Sequence, residues 1–410
     1  MPPKSLVCKE CKEVYPLEAL YACSNCFGPL EVKYESFERR DPEELRRRIQ
    51  AGPLSLWRYA DFLPVAAPPS GSLPAGMSPL IKADRLAKQL GIKELWIKNE
   101  ASNPTHSFKD RVVAVALARG IELGFETFAC ASTGNLANAL AAHAAAAGVE
   151  ACVFVPADLE REKIVATGIN GARVIGVRGS YDQVNRLCSE IASERPWAFV
   201  NVNLRPYYAE GSKTLAYEIA EQLGWDLPEH LVVPIASGSL HTRIGRAFDE
   251  FRECGLVSGN LPSMHGAQAS GCSPVANAYA EGSDQCIPVK PETIAKSLAI
   301  GDPADGPFAL ELARRTGGAI EAATDEEIKN GIALLAQTTG IFTETAGGVT
   351  VAVLAKLAER GAFDDGGRVV ACITGEGLKT PGAVADLIDV EEVDAGFADF
   401  EALELKLVPA

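Results

Sequence analysis

The sequence predicts an α/β protein of mostly parallel sheets with helices on both faces. Three observations carry this. From about residue 94 onward, short apolar runs alternate with helical patterns. The runs are continuous rather than alternating, as expected of strands covered on both sides. At 410 residues, 47% of them hydrophobic, the chain can form two or three domains with a large buried core.

Taken in order, residues 95–97 (Leu-Trp-Ile) read as a strand and 108–123 as a helix. Residues 127–131 are strand-like, and 134–147 are helical. Further buried strands are expected at 151–155, 173–177 and 198–202, with helices near 161–167 and 182–193. Residues 231–235, 263–268 and 368–373 add strands to the second half. Residues 52–79 hold six prolines, Pro53, Pro64, Pro68, Pro69, Pro74 and Pro79, and read as a connection wrapped over the surface. The stretch after about Asp389 is acidic and weakly patterned, and no internal repeat is present.

Acidic residues outnumber basic ones 54 to 39, a formal net charge of -15. That balance repels nucleic acid and anionic membranes unless a basic patch offsets it. The nearest candidate, Arg46-Arg47-Arg48, lies in an acid-rich helical stretch and reads as a solvated face. No apolar run has the length of a membrane span, and no signal peptide is evident. Eleven cysteines, seven of them scattered singly, point to thiols in a reducing, cytoplasmic setting.

The other four cysteines form two knuckles, Cys8-x-x-Cys11 and Cys23-x-x-Cys26. Such pairs can set four thiolates tetrahedrally around a structural zinc ion, in a zinc-ribbon-like segment over residues 1–35. A cysteine-rich flap without metal is the alternative.

Four strand-to-helix junctions carry the chemistry. Residues 103–111 (Asn-Pro-Thr-His-Ser-Phe-Lys-Asp-Arg) place Lys109 at a helix start. Ser132, Thr133, Gly134 and Asn135 precede the next helix. They serve either as an anion site at the positive end of the helix or as simple caps. Residues 234–240 form a small-residue turn that lets backbone approach a phosphate. Residues 374–379 (Thr-Gly-Glu-Gly-Leu-Lys) follow the last strand.

Together and in this order the motifs resemble the threonine synthases, pyridoxal-phosphate enzymes of the tryptophan-synthase-like fold (fold type II). The resemblance runs from Cys8 to about Pro381. It also draws on residues 210–214, 268–274, 293–297 and 340–348, and some threonine synthases carry a similar N-terminal cysteine segment. It implies two three-layer domains: a large one over 36–115 and 206–390, a small substrate-side one over 116–205, and a tail from 391 to 410. It implies a Schiff base between Lys109 and pyridoxal phosphate. Cofactor contacts fall on Phe108, Asn135, Ala236, Ser237, Gly238, Ser239, Leu240 and Thr374. The Thr374 hydroxyl would face the pyridine nitrogen, which suits eliminations and replacements. Ser132, Thr133 and Gly134 would hold the substrate carboxylate.

The implied reaction turns O-phospho-L-homoserine and water into L-threonine and phosphate, by elimination at Cγ and water addition at Cβ. The substrate phosphate is assigned to Asn203 and Arg205, with Lys213 and Ser237 also in reach. Here Arg205 stands three residues earlier than the family pattern, and Tyr208 takes the usual place. An arginine without a ligand is the plainer alternative. Family members are often dimers, so a homodimer is expected. Alternatives are a cysteate synthase, a threonine or serine dehydratase, or a zinc-ribbon nucleic-acid module fused to an inactive enzyme fold.

Overall fold

A computed structural model describes residues 2–35, 41–179 and 181–401. The expected tail falls partly outside these, at residues 402–410, as does the start of the expected large domain at 36–40.

Among the described residues, thirteen strands form three sheets. Strands β1 (Pro3–Cys8), β2 (Val14–Tyr15) and β3 (Leu30–Tyr34) make a small antiparallel sheet in the order β2-β1-β3. A six-stranded sheet holds β4 (Leu80–Lys82), β5 (Glu94–Asn99), β10 (His230–Pro234), β11 (Ser263–Ala269), β12 (Ile320–Ala323) and β13 (Arg368–Ile373). A four-stranded sheet holds β6 (Thr127–Ala131), β7 (Glu150–Pro156), β8 (Arg173–Val177) and β9 (Trp197–Phe199).

The six-stranded order is β12-β11-β10-β13-β5-β4, parallel except for the antiparallel edge strand β4. The four-stranded sheet, in the order β8-β7-β6-β9, is parallel throughout. Strand β10 is buried at all five residues, and β13 at five of six. Helices cover both faces, which is why these strands read as unbroken apolar runs.

Two expectations need correction. The strand expected at 198–202 ends at Phe199, because residues 200–204 turn back: the N–H groups of Val202 and Leu204 both donate to the Phe199 carbonyl. The proline-rich connection is more than a surface wrap. It contains a short helix, Leu56–Phe62, whose Leu56, Trp57, Tyr59 and Phe62 are buried. Phe62 meets Tyr217 at a tilt and Phe251 edge-on, with centroids 5.0 and 5.2 Å away. Its prolines set the path while aromatic burial fixes it to the core.

Candidate active site

Strands β10, β13 and β5 are neighbours, so the loops leaving their carboxyl ends emerge side by side. That edge is where open parallel sheets bind ligands. The loop after β5 carries Lys109, the loop after β13 begins at Thr374, and the loop after β10 runs through Ser237 and Gly238.

The lysine loop is tied to its neighbour by main chain. Phe108 N–H donates to the Thr374 carbonyl at 2.9 Å, and Glu376 N–H donates to that of His106 at 3.2 Å. Within the loop, buried Asp110 accepts from the Thr105 N–H and hydroxyl, both at 2.9 Å. His143 Nε2 lies 3.0 Å from the same carboxylate. These contacts fix the first turn of the helix Lys109–Glu122. Lys109 itself is half-buried, with Nζ 5.2 Å from the Phe108 ring centroid and 5.8 Å from that of Tyr208. Among the described residues its amine has no hydrogen-bond or ion-pair partner.

Asn135 opens the helix Asn135–Ala147 after β6. Its Nδ2 donates to Glu344 Oε2 and its Oδ1 accepts from Lys379 Nζ, both at 2.8 Å. Gly134 is the cap residue of this helix and no side chain caps it, so the N-terminal N–H groups are not taken by Ser132 or Thr133 in the usual way. The Ser132 hydroxyl instead accepts from Gly134 N–H at 3.4 Å.

Glu344 was not foreseen. It is buried, its N–H donates to the Gly375 carbonyl at 3.2 Å, and a Cβ on Gly375 would sit 2.4 Å from its carboxylate. Burial pushes its carboxyl above the usual range, and Asn135, Lys379 and Lys109 offset this only in part. Lys379 was visible only as the end of the 374–379 motif.

Gly238 takes the left-handed conformation, φ 90°, at the head of the helix Ser239–Glu253. A Cβ there would lie 2.6 Å from the Asp305 carbonyl oxygen, so only glycine fits. No side chain caps this 15-residue helix, so its first turn offers N–H groups and a positive dipole end to an anion. Ala236 and Leu240 flank the turn, half-buried.

Asp305 is the second residue not foreseen. Its N–H donates to the Ser237 carbonyl at 2.9 Å. Its carboxylate takes Lys9 Nζ on Oδ1 at 2.8 Å and Arg205 on Oδ2 at 2.6 Å. Burial opposes its ionisation, but Lys9 and Arg205 outweigh that and hold its carboxyl below the usual range.

Two expected substrate ligands have other work. Asn203 accepts from Phe199 N–H at 2.8 Å and donates to the Trp197 carbonyl at 3.0 Å, which locks the turn after β9. Lys213 is fully buried, paired with Glu210 at 2.7 Å and Glu250 at 3.0 Å, with the Tyr34 ring 4.3 Å away. A buried ammonium between two carboxylates has no route to a substrate. Arg205, by contrast, keeps two guanidinium nitrogens without a partner among the described residues.

In the ribbon, the four Sγ atoms of Cys8, Cys11, Cys23 and Cys26 lie within 4.8 Å of one another. The closest pairs are Cys8 with Cys26 at 3.4 Å and Cys11 with Cys23 at 3.5 Å. Thiolates around tetrahedral zinc stand about 3.8 Å apart, so the cluster is compatible with that ion.

The site also fits pyridoxal phosphate. It offers an unpaired lysine amine, an uncapped helix end behind a left-handed glycine, and a Thr374 hydroxyl with no hydrogen bond among the described residues. A family model described as pyridoxal-phosphate dependent enzyme matches residues 72–375, and the chain belongs to that family. Its relatives are more particular. It is 40% identical to a threonine synthase of Methanocaldococcus jannaschii over 383 residues, 92% of this chain and 93% of that one. It is 38% identical to a threonine synthase of Methanosarcina acetivorans over 388 residues, 94% of each. Identity of that degree over that length puts the chain in the threonine synthase branch. Among solved structures, a threonine deaminase from Solanum lycopersicum covers 86% of this chain and 96% of its own, with a TM-score of 0.64 at 19% identity. That likeness shows the shared fold. No helix among the described residues is long and apolar enough to cross a membrane.

Proposed function

We propose that the chain is a threonine synthase that converts O-phospho-L-homoserine and water to L-threonine and phosphate. The observation that carries the reading is the convergence of a free Lys109 amine, two uncapped helix ends and Arg205, from loops at the carboxyl ends of both parallel sheets that meet through Asn135 with Glu344 and Arg205 with Asp305. The reaction needs a base, a carboxylate site and sites for two phosphate groups, and these residues match that list.

What pyridoxal phosphate supplies when bound is delocalisation of the negative charge left on a substrate carbon after proton removal. Lys109 Nζ would hold the cofactor until the substrate's amine takes its place, and the amine so freed would serve as the base, moving protons between Cα, Cβ and Cγ. The Gly238 turn and the head of the helix Ser239–Glu253 hold the cofactor phosphate. Ser132, Thr133 and Gly134 hold the substrate carboxylate on the neighbouring helix end. Asn135, held between Glu344 and Lys379, would be a contact of the cofactor ring. Thr374 offers its hydroxyl to the ring nitrogen. Arg205 receives the phosphate that leaves Cγ, with its planar fork suited to that group. Glu344, whose carboxyl burial pushes above the usual range, lies within electrostatic reach of Lys109.

The rest of the reading is coarser. The three sheets support a ribbon, a large domain over 36–115 and 206–390, and a small substrate-side domain over 116–205. Eleven cysteines, none of them in a disulfide, support a reducing, cytoplasmic setting. A net charge of -15 argues against a nucleic-acid partner. The family habit supports a homodimer.

The test is turnover of O-phospho-L-homoserine by the purified holoenzyme, following phosphate and threonine together. Equal amounts of both are expected. Phosphate with a keto acid in place of threonine would sink the assignment, and no turnover would move it to phosphoserine or threonine. In Lys109→Ala, activity should fall by at least about 10²–10⁴-fold, the share carried by the base alone. The visible absorbance of the bound cofactor should be lost with it.

A further inference from the structure

The N-terminal ribbon reaches the candidate active site most directly through Lys9. Lys9 follows the first zinc-ligand candidate, Cys8, and its ammonium reaches Asp305 at 2.8 Å. The other Asp305 oxygen holds Arg205 at 2.6 Å. Through its main chain, Asp305 also contacts the proposed cofactor-phosphate turn, at Ser237 and Gly238. Two further ribbon contacts reach the same region. Glu31 of β3 lies 3.4 Å from Arg243, one turn into the helix that follows Gly238. Tyr34 donates to Glu210 Oε2 at 2.6 Å, on the short helix that Arg205 begins.

We propose that Asp305 is a positioning residue that aims Arg205 at the substrate's phosphate, and that Lys9 from the ribbon makes this geometry usable. The inference rests on the reading of Arg205 as a phosphate ligand. Its physical content is a charge problem. A carboxylate that orients an arginine beside a phosphate also repels that phosphate. Lys9 removes the conflict by neutralising Asp305 from the opposite oxygen. One carboxylate between two cations leaves a net positive pocket, with two Arg205 nitrogens still able to donate. The ribbon is therefore part of the substrate-recognition apparatus, acting through Asp305 without touching the substrate.

The experiment compares holoenzymes of the wild type, Lys9→Met, Lys9→Arg and the double variant Lys9→Met with Asp305→Asn. Three quantities are read: kcat and KM for O-phospho-L-homoserine, inhibition by inorganic phosphate, and cofactor absorbance. Lys9→Met should raise KM about tenfold and weaken phosphate inhibition to a similar extent, with kcat changed by less than about twofold. Cofactor absorbance should be unchanged. Lys9→Arg should restore KM. Adding Asp305→Asn to Lys9→Met should recover part of the loss, because the uncompensated charge is gone.

A Lys9→Met enzyme with unaltered KM and phosphate inhibition would overturn the proposal. So would one in which kcat and cofactor absorbance fall together, since that is a general loss of fold. If the wild type does not turn over O-phospho-L-homoserine, calorimetry with inorganic phosphate separates the two claims. Phosphate binding that Lys9→Met weakens keeps the pocket and discards the substrate. Equal binding by both proteins discards the pocket.

Discussion

At the scale of single residues, the candidate site is a balance between burial and charge. Glu344 is the clearest case. Its raised carboxyl value means that stability is fully present below the ordinary value of about 4.5 and is lost as pH rises through the folded-state value. Glu344→Gln removes that titration. Its thermal midpoint should fall less than that of the wild type as pH is raised above the ordinary carboxyl range. Parallel curves for the two proteins would show that Glu344 is ionised throughout. The residues legible in the sequence were those whose work is local. Lys109, Ser132, Gly238 and Thr374 each sit in a strand-to-helix turn whose composition announces it. Glu344, Lys379 and Asp305 were not legible in this way. Asn135 meets Glu344 across 209 positions of chain, and Lys9 meets Asp305 across 296. Lys213 misled for the same reason: a lysine after Glu-Gly-Ser looks available until Glu250 closes over it.

Among the elements, strands were easiest to read where both faces are covered. β6 and β13 fall where their apolar runs place them. The edge strands β4 and β12 did not announce themselves. β12 is Ile-Glu-Ala-Ala, with two of four residues half-buried, and β4 has no buried residue. Between β10, β11 and β12 runs a relay that fixes tautomers. Ala319 N–H donates to His265 Nδ1 at 3.1 Å, so the His265 proton lies on Nε2, 3.2 Å from His230 Nδ1. His230 Nε2 then donates to Asp365 at 3.0 Å. Burial, then His230 and His241, pushes His265 down to about 3, and burial pushes His241 down to about 4. Both histidines are buried neutral, so their stability is present above about 6.5 and is lost as pH falls toward those values. His265→Asn keeps an acceptor for Ala319 but leaves His230 without its donor, a cost of about 1–3 kcal/mol. Its thermal midpoint should be lower at neutral pH yet fall more gently on acidification. An equally steep acid limb would place the titration elsewhere.

Across the whole molecule, charge is carried inward as well as outward. Arg111 is fully buried between Glu100 and Glu218, and Lys98 joins the same Glu218 at 2.7 Å. Each such group stays ionised only because its partner does. The ribbon docks onto a second set of inward charges, where Tyr34 donates to Glu210 and Glu31 pairs with Arg243, so its integrity bears on the rest of the fold. The purified protein should carry about one zinc ion per chain by elemental analysis. Cys11→Ser should lower that content and raise KM for the phosphorylated substrate. A metal-free wild type with full activity would make the cysteine cluster a thiol-only device.

The distance between Lys9 and Asp305 along the chain also has a consequence during synthesis. A ribosome adds about 5–20 residues per second. The ribbon is therefore complete roughly 14–54 s before Asp305 emerges. An early-finished piece of some thirty residues needs a local means of holding its shape, because a segment that small cannot bury enough apolar surface by itself. The four thiols supply one. On this view the metal's chief service falls in the interval before Asp305 emerges, and a shortage of zinc would show first as misassembled nascent chains rather than as slow mature enzyme.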